Sequence, residues 1–487
     1  MKTGRLNIFI LIITVISMTA CTSWHEVAQR SADNLDLFPD YKNVTVPYNI
    51  APLNFMVEDA DRVQVSFSSE SSQVLKVTGR NGVIRIPEKK WHQLLEASKG
   101  QSLEVEVSIW NELYPEGISF EPFIINVAED QIDPWIAYRL IEPGYVSWRQ
   151  LGLYQRNLAS FEETAIVTNH ETTTTCLNCH HFPAFSSESM MFHARGAHGG
   201  TILYKDGKLS KIKFNEIWPK KNTTYPAWHP EGRYIAFSSN TTHQVFFGEG
   251  RQQVEVFDTA SDLVLYDTEK GEVLVDPRFY TEESLETFPG WSPDGKYLYF
   301  SSYTSDKLPV EFSLDMHYDL LRVPFDSMTG TFGTQVDTLY NTRIEGGSTS
   351  YPRISHDGRY LLYTWSDYGT FTIWHQDADL RMIDLQTMED VDVSVWNANG
   401  EPDSYHSWSS NGRWVIFGSR RLDGRYTRLF IAYFDKDGKP HKPFLLPQED
   451  PRYNVWRVKS FNVPEFIDGK VSLPKEAVEL FKTIEKK

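Results

Sequence analysis

The chain has 487 residues, with 48 Lys plus Arg against 65 Asp plus Glu and a formal net charge of −17, a balance that argues against nucleic acid or an anionic membrane surface as partner. One hydrophobic core does not serve a chain of this length, so two or three domains are expected. Aromatic residues make up 14% of it, as 14 Trp, 24 Tyr and 29 Phe, the composition of a β-rich protein whose repeated strands carry aromatic packing residues.

Lys2 and Arg5 open a basic segment, Leu6 to Met18 is apolar but short for a membrane span, and Met18-Thr19-Ala20-Cys21 resembles a bacterial lipobox. The resemblance implies a signal peptide over residues 1–20 and lipidation of the Cys21 thiol, so that acyl chains anchor the mature protein to the membrane of the cell envelope. Thr22 after the cysteine implies, by analogy with enterobacterial sorting, the periplasmic face of the outer membrane. Residues 21–40 are polar and unpatterned, and read as a tether. Residues 41–130 then alternate apolar and polar positions in short runs such as Arg62-Val63-Gln64-Val65-Ser66-Phe67 and Leu103-Glu104-Val105-Glu106-Val107. That spacing predicts an immunoglobulin-like β-sandwich accessory domain, interrupted by a helix that Pro87 opens and Gly100 closes.

The chain's other two cysteines lie in Cys176-Leu177-Asn178-Cys179-His180. C-x-x-C-H is the attachment signature of a c-type haem, and it predicts one covalent haem c held through Cys176 and Cys179, with His180 as the proximal iron ligand. Export fits that chemistry. For the sixth iron position the nearby candidates are His193, with Met191 and His198 as alternatives, and Arg195 has the strand parity to pair with a haem propionate.

From residue 225 onward the sequence repeats. Tyr225-Pro226-Ala227-Trp228-His229-Pro230-Glu231-Gly232 recurs as Phe288-Pro289-Gly290-Trp291-Ser292-Pro293-Asp294-Gly295, then degraded from Tyr351 and from Ser407, each copy followed by an alternating aromatic strand. A strand, a tight glycine turn and a second strand, with further hairpins between copies, predict four-stranded units around an axis. The copies resemble the β-propeller repeats of the TolB-like family, with a propeller expected over residues 131–466 and six blades favoured. Leu151 to Val167 and Tyr453 to Phe466 are expected to share the closing blade, and residues 467–487 to hold a short helix.

Laid against these copies, Cys176 to Ser186 takes the place of an inner strand and its turn, so the haem motif is expected inside a blade. With Ile141-Glu142-Pro143-Gly144-Tyr145 and Leu151-Gly152-Leu153-Tyr154-Gln155-Arg156, the whole resembles exported propeller cytochromes of Bacteroidetes-type bacteria. That resemblance implies an anchored monohaem electron carrier serving a periplasmic redox or envelope protein. The alternatives are a TolB-like binding scaffold with a structural haem, and a haem enzyme with an open iron site acting on a peroxide or small nitrogen compound. No G-x-S-x-G, H-E-x-x-H or phosphate-cradling glycine loop is present, so no catalytic residue is assigned, and a carrier or binding protein is favoured over a catalyst.

Overall fold

The computed structural model describes residues 24–142, 150–172, 176–195, 199–219, 223–305, 308 and 310–482. The signal segment 1–20, Cys21, Pro143-Gly144-Tyr145 and His198 lie outside these residues, and so do the expectations placed on them. No helix among the described residues is long and apolar enough to cross a membrane.

In the N-terminal part, strands from Gln29–Arg30 to Phe123–Ala128 pair into one nine-stranded network. Its centre is Ser102–Trp110, antiparallel to Arg62–Ser68 on one edge and to Phe123–Ala128 on the other. Val63, Val65 and Phe67 stand opposite Ile109, Val107 and Val105, all buried, so the apolar alternation read from the sequence becomes cross-strand pairs on a core face. The helix forms over Glu88–Ala97 and drives Trp91, Leu94 and Leu95 into the same core. That core runs on without a break into Trp414, Ile416, Leu429, Ile431 and Phe444 of the second half. Trp414 Nε1 also donates to the Gln131 carbonyl at 3.0 Å, and the Ser410 N–H to Asp133 Oδ2 at 2.8 Å. The two parts are docked by shared burial as well as by hydrogen bonds.

The remaining sheets are arranged like the blades of a propeller. The innermost strands Cys176–His181, Thr224–Trp228, Ser284–Trp291, Ser348–Ile354 and Asp403–Trp408 each start an antiparallel unit. The two ends of the array meet in one further sheet, where Ser460–Ile467 pairs with Trp135–Ile141, and Gly152–Asn157 and Glu163–Thr168 follow outside it. Sharing a sheet in this way leaves no exposed edge at the seam. After each repeat's inner strand comes the glycine turn, closed by the same backbone bond: His229 to Tyr234, Ser292 to Tyr297, Ser355 to Tyr360 and Ser409 to Trp414, at 2.8–2.9 Å. Gly295 holds φ 70°, and a Cβ there would lie 2.3 Å from His229 Nε2 of the preceding unit, so backbone conformation and close approach both demand glycine.

The inner strands share a bulge at one level. Registers shift between Asn178 and His181, Thr224 and Ala227, Thr287 and Gly290, Ser350 and Arg353, Ser404 and Ser407, and between Ala137 and Arg139 opposite the C-terminal strand. The bulged residues have positive φ: Cys179 47°, Tyr225 48°, Phe288 53°, Tyr351 54°, Tyr405 51° and Val463 46°. A bulge bends the strand and re-aims its side chain. Cys179-His180-His181-Phe182 is therefore the counterpart of Tyr225-Pro226-Ala227-Trp228, a copy of the repeat as the alignment implied.

One hairpin departs from the plan. Tyr234–Phe246 and Val254–Asp267 run for 13 and 14 residues, and their outer halves extend past the sheet as an arm. Buried Glu255 on this arm meets buried His375 after the turn Thr372–Trp374, with 2.6 Å between Oε2 and Nε2. Gln252 from the arm's tip adds a bond from the Tyr368 hydroxyl at 3.0 Å, and Arg251 pairs with Glu401. The arm is thus clasped to a different unit.

Candidate functional site

The six bulged side chains converge on a cavity of about 230 Å³ at one end of the axis. Tyr225, Phe288 and Tyr351 pack with ring centroids 4.1 and 4.2 Å apart and their planes tilted by 40° and 38°, and Tyr405 meets Tyr351 edge-on at 4.9 Å. Cys179 and Val463 complete this collar. Above it stand Val254, Val256 and Gln244 of the arm, with Phe371, Ile373 and Trp374 opposite, so the Glu255–His375 clasp holds one wall of the cavity in place.

The polar groups of the cavity come from three directions. Arg139 donates through Nη1 to Asn178 Oδ1 and, at 3.4 Å, to the Leu177 carbonyl, while its Nε is buried without a hydrogen-bond partner. Arg420 lies 3.3 Å from the centre of the Trp374 ring, a cation–π contact in a buried place. His180 is 4% exposed; a ring N–H donates to the Val463 carbonyl, and Nε2 is buried with no partner. Burial first, and the Arg139 charge second, push His180 down to about 3. It is therefore neutral at physiological pH, with Nε2 an acceptor aimed away from the backbone. Burial also holds the Tyr225, Tyr351 and Tyr405 hydroxyls above their ordinary value, so they stay protonated.

The two cysteines part company. Cys179 lines the cavity. Cys176, three residues earlier and ahead of the bulge, packs instead beside the buried cluster of Leu151, Leu153, Leu177, Phe192 and Ala194. Its thiol is pushed up by that burial. Both cysteines are free. Two thioethers to one porphyrin edge need both sulfurs presented to the same side, as a short turn provides; this strand presents one to the cavity and the other to the packing between sheets. The ligand candidates do not close around an iron either. His193 is on the neighbouring strand of the same sheet, opposite Asn178, and its Nδ1 is bonded to Thr201 Oγ1 at 3.0 Å. Met191 is fully buried against Trp228, Ile235 and Phe237 as core. Arg195 lies at the exposed end of its strand, opposite Cys176. Among the described residues no group of three or more His, Cys, Asp and Glu could hold a metal.

No protein-family profile matches the sequence, and no curated protein does. Similar solved structures include a puromycin hydrolase (12% identity, TM-score 0.38, 64% of this chain), of whose length this chain spans only 45%. They also include an oligogalacturonate lyase from Vibrio parahaemolyticus (12% identity, TM-score 0.33, 59% of this chain and 85% of that one) and a Mycobacterium tuberculosis puromycin-hydrolysing peptidase (11%, 0.36, 83% and 57%). Likenesses this remote assign no activity. With the cysteines and ligand candidates dispersed as described, and with no metal-holding group among the described residues, the expectation of a monohaem electron carrier does not hold, nor do its alternatives of a structural haem or an open haem iron.

The sequence led to Cys179 and His180 for a different reason from the one the structure gives: they line a cavity. It missed Arg139, Arg420 and the aromatic collar. The signal for the collar was on the page, since Tyr225, Phe288, Tyr351 and Val463 each precede a proline at the same repeat position, but a residue's aim into a channel depends on a bulge that repeat alignment does not reveal.

Proposed function

We propose that this chain is a six-bladed, TolB-like β-propeller that binds a small sugar acid of the uronate class in the collar cavity, and that it works from the cell envelope on a lipid anchor at Cys21. The reading is carried by one observation: Arg139 and His180, whose Nε and Nε2 are buried without partners, both line one cavity that is also bordered by closely packed aromatic rings. An unmet N–H of a guanidinium asks for a carboxylate, and an unmet acceptor on a neutral imidazole asks for a hydroxyl. Aromatic faces suit the C–H face of a pyranose, and Asn178, Asn462, Gln244 and Thr427 in the wall supply further hydroxyl partners. The volume is below the roughly 300–1,000 Å³ of pockets for drug-sized ligands, which suits a single ring.

The test is a calorimetric titration of the lipid-free exported chain with galacturonate and with neutral galactose. Galacturonate should bind at about 1 mM or tighter, the affinity expected of a dozen or so atoms at moderate efficiency, and galactose at least about tenfold more weakly for want of the charge-assisted bond. Equal affinities, or no heat with either sugar, would refute the reading.

A further inference from the structure

We infer that the cavity at the other end of the channel is a second binding site, one that takes an organic carboxylate on an aryl body, with Arg353, Glu465 and His181 as the groups that hold the acid. This cavity, of about 210 Å³, lies on the side of the repeat turns and is walled by Trp228, Trp291, Trp408 and Phe182. Arg353 and Glu465 also border the collar cavity, so the two spaces meet at this pair. Phe185, Trp228, Trp291 and Trp408 border this second cavity and not the collar.

Three observations point to an acid. First, His181 Nδ1 is buried without a hydrogen-bond partner, and His181 lines the cavity. Second, Arg353 brings a guanidinium to the same wall while Nη1 is held by the Pro352 and Pro289 carbonyls at 2.9 and 3.5 Å, which fixes its plane. Third, Glu465 is tied at Oε2 by the Phe182 N–H at 3.1 Å, yet part of its surface stays open to the cavity. Burial pushes Glu465 up to about 8 despite the Arg353 charge. Around it the inner strands on either side contribute His180, His181 and His406, all pushed by burial down to about 3, while His356 stands at the cavity rim. At neutral pH Arg353 therefore brings a positive charge beside a carboxylic acid that still has a proton to donate. A carboxylate completes this set, accepting from Arg353 and from Glu465. The indole N–H groups of Trp228, Trp291 and Trp408 are spent on the carbonyls of Gly232, Ala227 and Arg353, so these rings offer apolar faces to an aryl body.

The sign of the pH dependence follows. The acid form of Glu465 binds the ligand, so affinity is full below about 8 and falls as pH rises through that value, where ionised Glu465 repels the incoming anion. The experiment is a titration of the lipid-free chain with benzoate, followed by tryptophan fluorescence and calorimetry from pH 6 to 9.5. The expected result is one site whose affinity drops about tenfold per pH unit above the Glu465 value, the limit for a single required proton. Glu465→Gln keeps a donor and loses the charge, and should bind benzoate at pH 9.5 as well as at pH 7. Arg353→Gln should weaken binding at least about tenfold, and Phe185→Ala, which borders this cavity and not the collar, should weaken it severalfold. Should Arg353→Gln fail to fold, the other two variants decide. No benzoate binding, an affinity flat in pH for the unaltered chain, or a Glu465→Gln profile like the parent's would overturn the inference.

Discussion

Replacing His375 with alanine tests whether the arm is clasped as described. Both side chains of the Glu255–His375 pair are fully buried. Without the imidazole, Glu255 keeps bonds from Gln252 Nε2 at 2.8 Å and the Val256 N–H at 3.1 Å, but its Oε2 loses the 2.6 Å contact and faces a cavity the size of a ring. Removing one partner of a buried pair costs about 3–5 kcal/mol. The arm has two ways to respond. If it stays seated, the whole penalty appears in global stability, and at roughly 1 °C per kcal/mol for a chain of 487 residues the melting temperature falls by about 3–5 °C. If it lifts, the melting point falls less, and amide exchange across 243–257 accelerates by about two orders of magnitude or more, because opening the clasp no longer costs the pair. Either outcome also loosens the Val254 and Val256 wall and weakens ligand binding in the collar. Glu255→Gln with His375→Asn, measured with both single variants, isolates the coupling energy of the pair. A His375→Ala chain with unchanged melting temperature and unchanged exchange in the arm would refute the clasp.

Three other outcomes follow from the geometry. Gly295→Ala forces a Cβ onto His229 at positive φ and should destabilise by about 1–3 kcal/mol, read by denaturant melts; a neutral substitution would contradict the packing between units. Maleimide at pH 7.5, followed by peptide mass mapping, should label Cys179 before Cys176, whose thiol is raised by burial among apolar side chains; the reverse order would place the thiols wrongly. Asp258 is buried, bonded by Asn240 and Thr242, and held by burial at about 6 against about 3.9 unfolded. Its folded form keeps a proton that the unfolded chain has lost, so this group's stabilisation is complete below about pH 4 and is lost by about pH 6, a decline on the order of 2–3 kcal/mol; Asp258→Asn should flatten the stability profile in that window, and an unaltered slope would refute the assignment.

The fold was legible where chemistry repeats in register. The glycine turns are fixed by positive φ, and the copies after Trp228, Trp291, Ile354 and Trp408 carry the same turn, so strand, turn and strand were readable four times over. The sharing of the closing sheet was readable too, because the leftover strands at both ends had nowhere else to pair. The site was less legible, since spacing is not conformation. Cys176 and Cys179 are three apart whether the backbone is a turn, which puts them on one side, or a strand whose bulge re-aims the second of them. The repeat alignment already placed them on a strand, and that conflict was the available warning. Arg139 gave no signal at all: it belongs to a strand that enters the closing sheet more than three hundred residues from its partner Asn462.

The account rests most directly on what occupies the collar. Crystals of the lipid-free chain soaked in galacturonate should show the sugar's ring against Tyr225, Phe288 and Tyr351, its carboxylate on Arg139 and one hydroxyl on His180 Nε2. A collar that holds only solvent at saturating sugar, or a sugar seated with its carboxylate turned away from Arg139, would contradict it.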